Sequence, residues 1–230
     1  MTAPTVVLVH GAWHGGWCWD AVRAGLEERG IDVVADDLPF TSLVDDIDSV
    51  GATLDRLGPV VLVGHSYGGM VITEAAAGRD DVGHLVYLCA FMPDAGENVR
   101  RLSSEFPTVA LTAGMVLEDD GVFTVDPEVA PAAFYQDCSP ADIQRALSLL
   151  RPMGRGPGHG FRRAPWQDIP STYAVCARDQ AIHPEFQRRM AARATHTVEW
   201  DSDHSPFVSR PHDVVELLAD IVDGLSSEAL

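Results

Sequence analysis

Lysine is absent: all 16 basic residues of the 230-residue chain are arginine. Without lysine the chain cannot form a lysine Schiff base, hold pyridoxal phosphate through that amine, or build a P-loop nucleotide site. Positive charge is scarce altogether, and 34 acidic residues leave a net charge of -18. Such a field repels nucleic-acid phosphates and anionic lipid surfaces, so neither nucleic acid nor membrane is an expected partner. Long apolar runs are missing too; none approaches the about 20 residues of a membrane span. Met1-Thr2-Ala3-Pro4 runs straight into an apolar strand, with no basic segment, signal core or cleavage site, and a cytoplasmic protein is expected. The four cysteines, Cys18, Cys89, Cys138 and Cys176, include no C-x-x-C pair. No disulfide framework, metal site or cofactor is therefore expected.

What is present is alternation. Apolar, β-branched runs at 5–10, 32–36, 60–63, 84–91, 172–177 and 197–200 have the look of buried parallel strands. Amphipathic stretches separate them: Asp20 to Arg29, stopping at Gly30, and Val44 to Leu57, ending at Gly58-Pro59. The pattern calls for an open, mostly parallel sheet with helices on both faces. About eighty residues separate the strand ending at Phe91 from the one near Thr172, far more than one crossover helix needs. The chain is expected to be one domain, with a core of residues 1–93 and 166–230 and a lid at 94–165. The lid carries an acidic loop, Glu118-Asp119-Asp120-Gly121, and a helix with Ser139 as N-cap and Pro140 in its first turn. The run Gly154-Arg155-Gly156-Pro157-Gly158-His159-Gly160 then reads as a hinge.

Directly after Val60-Val61-Leu62-Val63 stands Gly64-His65-Ser66-Tyr67-Gly68-Gly69. A strand, a sharp turn with a serine and a small-residue helix form a nucleophile elbow, whose glycines avoid collisions across a strained turn. A serine hydroxyl needs a base, and the base needs an orienting acid. Asp179 follows the strand 172–177 and His204 follows the strand ending at Trp200, the order such an elbow requires. Asp94 is the rival acid, while Asp203, adjacent to the histidine, is badly aimed to orient its ring. His10, His65, His84, His183 and His212 fit structural roles. An oxyanion needs two donors: the Tyr67 amide and, from the loop His10-Gly11-Ala12-Trp13, the Ala12 amide.

Val7-Leu8-Val9-His10-Gly11-Ala12-Trp13-His14-Gly15-Gly16-Trp17, the Ser66 elbow, Phe91-Met92-Pro93-Asp94, Arg178-Asp179-Gln180 and Asp203-His204 together resemble the α/β-hydrolase superfamily. Within it the chain is similar to the branch of plant methylesterases, salicylate-binding esterases and hydroxynitrile lyases and their small bacterial relatives. The resemblance implies an α/β-hydrolase fold with a helical lid inserted after the sixth strand. It implies a serine hydrolase with Ser66 as nucleophile, Asp179 as acid, His204 as base and an oxyanion hole at Ala12 and Tyr67. Lyases of that branch have a threonine after the first histidine and a lysine after the catalytic one; here stand Gly11 and Ser205, which favours an esterase. A second departure is Asp37-Leu38-Pro39-Phe40-Thr41, where many hydrolases have glycine after the proline. Phe106, Phe123, Phe134, Tyr135, Phe161 and Trp166 are candidates to roof an apolar pocket. The expected partner is a small, neutral ester; a cofactor-free lyase or cyclase and a non-catalytic small-molecule binder are the alternatives.

Overall fold

The computed structural model describes residues 3–118, 121–154 and 160–228. The chain opens with β1 (Thr5–Val9), α1 (Asp20–Glu27), β2 (Val33–Val34), α2 (Leu43–Leu54), β3 (Val60–His65), α3 (Gly68–Ala75) and β4 (Val82–Leu88). There follow α4 (Val99–Ser103), α5 (Ala110–Gly114), β5 (Met115–Leu117), β6 (Val122–Val125), α6 (Ala130–Phe134), α7 (Pro140–Leu149) and β7 (Met153–Gly154). The chain then returns through β8 (Ser171–Cys176), α8 (Pro184–Ala191), β9 (His196–Trp200), α9 (Pro206–Ser209) and α10 (Pro211–Glu228). Helix starts follow the local chemistry. Ser42 caps α2 by accepting the Asp45 amide at 3.1 Å, and Ser139 caps α7 by accepting that of Asp142 at 3.2 Å.

Six strands form one sheet in the order β2-β1-β3-β4-β8-β9, every neighbour parallel. Successive strand side chains point to opposite faces, and here both faces are covered. Val7, Val9, Leu62, Tyr87 and Val175 pack with Leu54, Val71, Ile72 and Phe186 on one side. Val6, Leu8, Val63, Val86 and Ala174 pack with Val22, Leu26, Val214 and Leu218 on the other. The inner strands β1, β3, β4 and β8 are thus buried along nearly their whole length rather than alternating, as a doubly covered parallel sheet requires, whereas the edge strand β9 exposes His196, Thr197 and Glu199. From β1 the chain moves outward to β2 and then returns to place β3 on the opposite flank. That reversal opens a crevice beyond the carboxyl ends of β1 and β3, the usual location of a site in an open α/β sheet.

The insertion corrects two expectations. It leaves the sheet after the fourth strand, β4, rather than after a sixth, because only four strands enter the sheet before it. It is also mixed rather than helical: β5, β6 and β7 form a small antiparallel sheet, with Gly121 at φ 84° between the first two. Strands of two to four residues carry too short a pattern to stand out in a sequence. The segment has its own core of Ala130, Ala133, Phe134, Tyr135 and Ala146, completed by Trp13 from the loop after β1. Asp119 and Asp120 of the acidic loop, and 155–159 of the run read as a hinge, lie outside the described residues. No helix among the described residues is long and apolar enough to cross a membrane.

Candidate active site

The turn after β3 is tight enough that each glycine around it is required. A Cβ at Gly64 would lie 2.7 Å from the Gly68 carbonyl, one at Gly68 2.5 Å from Val9 O, and one at Gly69 2.2 Å from Phe91 O. Those approaches place α3 directly against β3 and its neighbours, and Ser66 between them takes φ 54°. A left-handed conformation at a non-glycine residue costs about 1–2 kcal/mol. The turn holds it through Ser66 N to Leu88 O at 3.3 Å and through the Gly69 and Phe91 amides, both 3.1 Å from Ser66 O. The serine is half-buried, and its hydroxyl makes no hydrogen bond among the described residues.

Asp179 and His204, the candidate acid and base, come from the loops after β8 and β9. His204 is 1% exposed and Asp179 fully buried, and His204 Nδ1 lies 2.6 Å from Asp179 Oδ2. The other carboxylate oxygen accepts the Ala181 and Ile182 amides at 2.6 and 2.9 Å. Both carboxylate oxygens of this buried side chain are thus hydrogen-bonded, as burial of a polar group requires. The His204 ring lies beside His65, with centroids 4.6 Å apart. Asp94 is engaged elsewhere, accepting Ala95 N at 2.7 Å and Gln167 Nε2 at 3.4 Å.

The loop after β1 closes the other side. A Cβ at Gly11 would sit 2.9 Å from that of Ser66, so the backbone leading to Ala12 passes against the serine. Neither the Ala12 nor the Tyr67 amide donates a hydrogen bond among the described residues. Three buried histidines shape this loop, all neutral. His10 Nε2 accepts the Leu38 amide at 2.9 Å, which leaves Nδ1–H to donate to Gly11 O; burial pulls its pKa down to about 4. His14 Nδ1 meets Ala12 O at 2.8 Å, so Nε2 accepts the Tyr135 hydroxyl, also at 2.8 Å; burial pulls this group down to about 3. His65 donates Nε2–H to His204 O at 2.8 Å, and burial holds it well below the usual range.

The chain as a whole has known relatives. The sequence pattern described as "Alpha/beta hydrolase family" matches residues 6–217. The chain belongs to the alpha/beta hydrolase family. Within the family it is 28% identical to methyl jasmonate esterase 1 of Vitis vinifera, over 96% of this chain and 97% of that one. It is 29% identical to salicylic acid-binding protein 2 of Nicotiana tabacum, over 94% and 95%. Among solved structures, a pyrethroid hydrolase from Sphingobium faniae JZ-2 superposes with a TM-score of 0.84 at 25% identity, over 98% of this chain and all of that one.

Around this alpha/beta-hydrolase site stand one buried acid that the sequence did not mark and several groups that it did. Asp46 of α2 is fully buried and accepts the Tyr67 hydroxyl at 2.6 Å and the Phe40 amide at 2.8 Å, and burial pushes its carboxyl up. Phe40, where many hydrolases carry glycine, adopts φ 59°. Its ring lies under the Arg151 guanidinium at 4.9 Å and edge-on to His10, packing that offsets the backbone strain. Asp203 does not orient His204. It clasps the insertion reciprocally: Asp137 N donates to Asp203 Oδ2 at 3.1 Å and Asp203 N to Asp137 Oδ2 at 2.9 Å. Of the six candidate roofing aromatics, Phe134 reaches His204, with ring centroids 5.7 Å apart, and Tyr135 reaches His14. Phe106 stacks on Phe186 at 4.9 Å and Trp166 Nε1 donates to Pro93 O.

One trio could in principle ligate a metal, since donor atoms of His65, Cys89 and His204 lie within 4.8 Å of one another. Its chemistry fits poorly. His65 Nε2 and Cys89 Sγ both donate to His204 O, and His204 Nδ1 is taken by Asp179. Burial also pushes the Cys89 thiol up, against the thiolate a metal needs.

Proposed function

We propose that this alpha/beta hydrolase cleaves a carboxylic ester of a small, neutral, apolar substrate through Ser66, His204 and Asp179. The observation that carries the reading is the buried 2.6 Å His204–Asp179 bond, with the His204 ring 4.6 Å from that of His65, the residue directly before a serine held at φ 54°. The names of the similar esterase and hydrolase support it. In the proposed cycle Asp179 holds the proton on His204 Nδ1, leaving Nε2 to accept the Ser66 proton as the serine oxygen attacks the ester carbonyl. The Ala12 and Tyr67 amides, which have no partner among the described residues, receive the oxyanion. His204 then gives the proton to the departing alcohol, and water cleaves the acyl-enzyme by the same route. Residues 94–165 act as a lid, with Phe134 as roof.

The preference for a neutral substrate follows from charge. His10, His14 and His65 are kept neutral by burial. Arg151 is already held by Asp37 at 2.8 Å and by Leu38 O at 2.6 Å. With a net charge of -18 on the chain as a whole, a carboxylate-bearing ester should show kcat/KM at least about ten-fold below that of its neutral methyl analogue at low salt, and the gap should narrow as salt screens the field. Steady-state hydrolysis of such a pair is the test. Equal or faster turnover of the charged ester would contradict the substrate class.

The Ser66 hydroxyl, without a partner among the described residues, also fits a second reading, a cofactor-free lyase or cyclase in which His204 moves the proton and Ser66 only donates a hydrogen bond. A covalent acyl-enzyme separates the two.

A further inference from the structure

The His204–Asp179 pair is backed by a third side chain. Gln187 lies on the buried face of α8 and is fully excluded from solvent. Its Nε2 donates to Asp179 Oδ2 at 2.7 Å and to Ile182 O at 2.8 Å, while its Oε1 accepts the Cys176 amide at 2.9 Å. These partners fix which end of the amide is which. An N–H donor faces one end and two oxygen acceptors face the other, so the flipped amide would oppose donor to donor and acceptor to acceptor. The placement follows from the local fold. Asp179 leaves β8, its Oδ1 gathers the Ala181 and Ile182 amides, and α8 starts at Pro184, returning Gln187 over the same carboxylate.

We infer that Gln187 is a positioning residue for the acid and base, sharing Asp179 Oδ2 with His204 and fixing that oxygen in line with His204 Nδ1. This rests on the catalytic reading of Ser66, Asp179 and His204. The Oδ1 bonds alone leave the carboxylate free to pivot about them; the Gln187 bond removes that freedom and draws part of the negative charge from the oxygen that faces the imidazole. Gln187 touches no reacting atom, and its whole effect passes through Asp179.

Two variants separate positioning from mere packing. Gln187→Met keeps the volume and loses both polar ends. It should lower kcat by about ten- to a hundred-fold with KM within about two-fold, as loss of an outer-shell orienting group does. Gln187→Glu keeps the shape, but the introduced carboxyl can face Asp179 only while protonated, so the two acids share one proton. Its activity should stay near wild type on the acid side and fall as the pH rises through the new ionisation, which the wild-type profile lacks. The accompanying readout is the low-field proton resonance of the His204 Nδ1–H in the resting protein. It should move in both variants, and in Gln187→Glu it should follow the new ionisation.

Folding of each variant is checked by its thermal transition; should Gln187→Met not fold, Gln187→Glu carries the test. An unshifted resonance together with a wild-type pH profile in a folded Gln187→Glu protein would overturn the positioning role. Loss of ester turnover in the wild type itself, with the resonance still shifted in the variants, would instead overturn the ester reading and leave the Gln187–Asp179–His204 link standing.

Discussion

Ser66→Ala is expected to lower ester turnover by about a million-fold while leaving the fold intact, the scale seen when a serine hydrolase loses its nucleophile. The size follows from the part the hydroxyl plays. In the proposed cycle the hydroxyl supplies the attacking atom, His204 and Asp179 serve to take its proton, and the Ala12 and Tyr67 amides hold the oxyanion that its attack creates. What remains is the oxyanion site working on adventitious water, a residual about 10³–10⁴-fold over the uncatalysed rate. Alanine also keeps the turn: Ser66 contributes its backbone N and O to the elbow, to Leu88 O and from the Gly69 and Phe91 amides, and its hydroxyl is bonded to nothing among the described residues. The check is kcat on an activated aryl ester beside the thermal transition. Loss of activity without loss of stability is the expected pair, and wild-type turnover by the variant would rule out a nucleophilic serine.

Asp179→Asn should cost about 10⁴-fold in kcat, the loss that follows when the imidazole is forced into the wrong tautomer. The hydrogen bonds dictate how the introduced amide must lie. Its oxygen has to face the Ala181 and Ile182 amides, which both donate to Oδ1. Its NH2 then faces His204 Nδ1 and the Gln187 NH2. His204 must therefore accept at Nδ1 and carry its proton on Nε2, where it cannot receive the serine proton. The amide also opposes Gln187 donor to donor, so the thermal transition should fall as well. A variant that kept kcat within about ten-fold of wild type would show that Asp179 does not set the tautomer.

The sequence carried the parts of this site that depend on local spacing. The Ser66 elbow is six adjacent residues, and Asp179 and His204 each follow directly on a strand, so order along the chain is enough to place them at one sheet edge. The six core strands are legible for the same reason, since each is a short run of apolar or β-branched residues, and the inner four are covered on both faces. What escaped notice depends on long-range closure. Gln187 looks like any polar residue on an amphipathic helix until α8 folds back over Asp179. Asp46 and Tyr67 are 21 residues apart, and Asp137 and Asp203 are 66 apart; no local pattern links such pairs. The mixed character of the insertion was hidden by the brevity of β5, β6 and β7. Phe40 was visible as a departure after Pro39, but only the backbone shows that it occupies a left-handed position glycine would adopt without strain.

The most direct test of the account is to react the protein with an activated ester or phosphonate and locate the covalent label by peptide mass spectrometry, with Ser66→Ala in parallel. The account predicts one label per chain, on Ser66, formed in the wild type and absent from the variant. A label on another residue, or turnover with no covalent intermediate under conditions that trap acyl-enzymes, would contradict it.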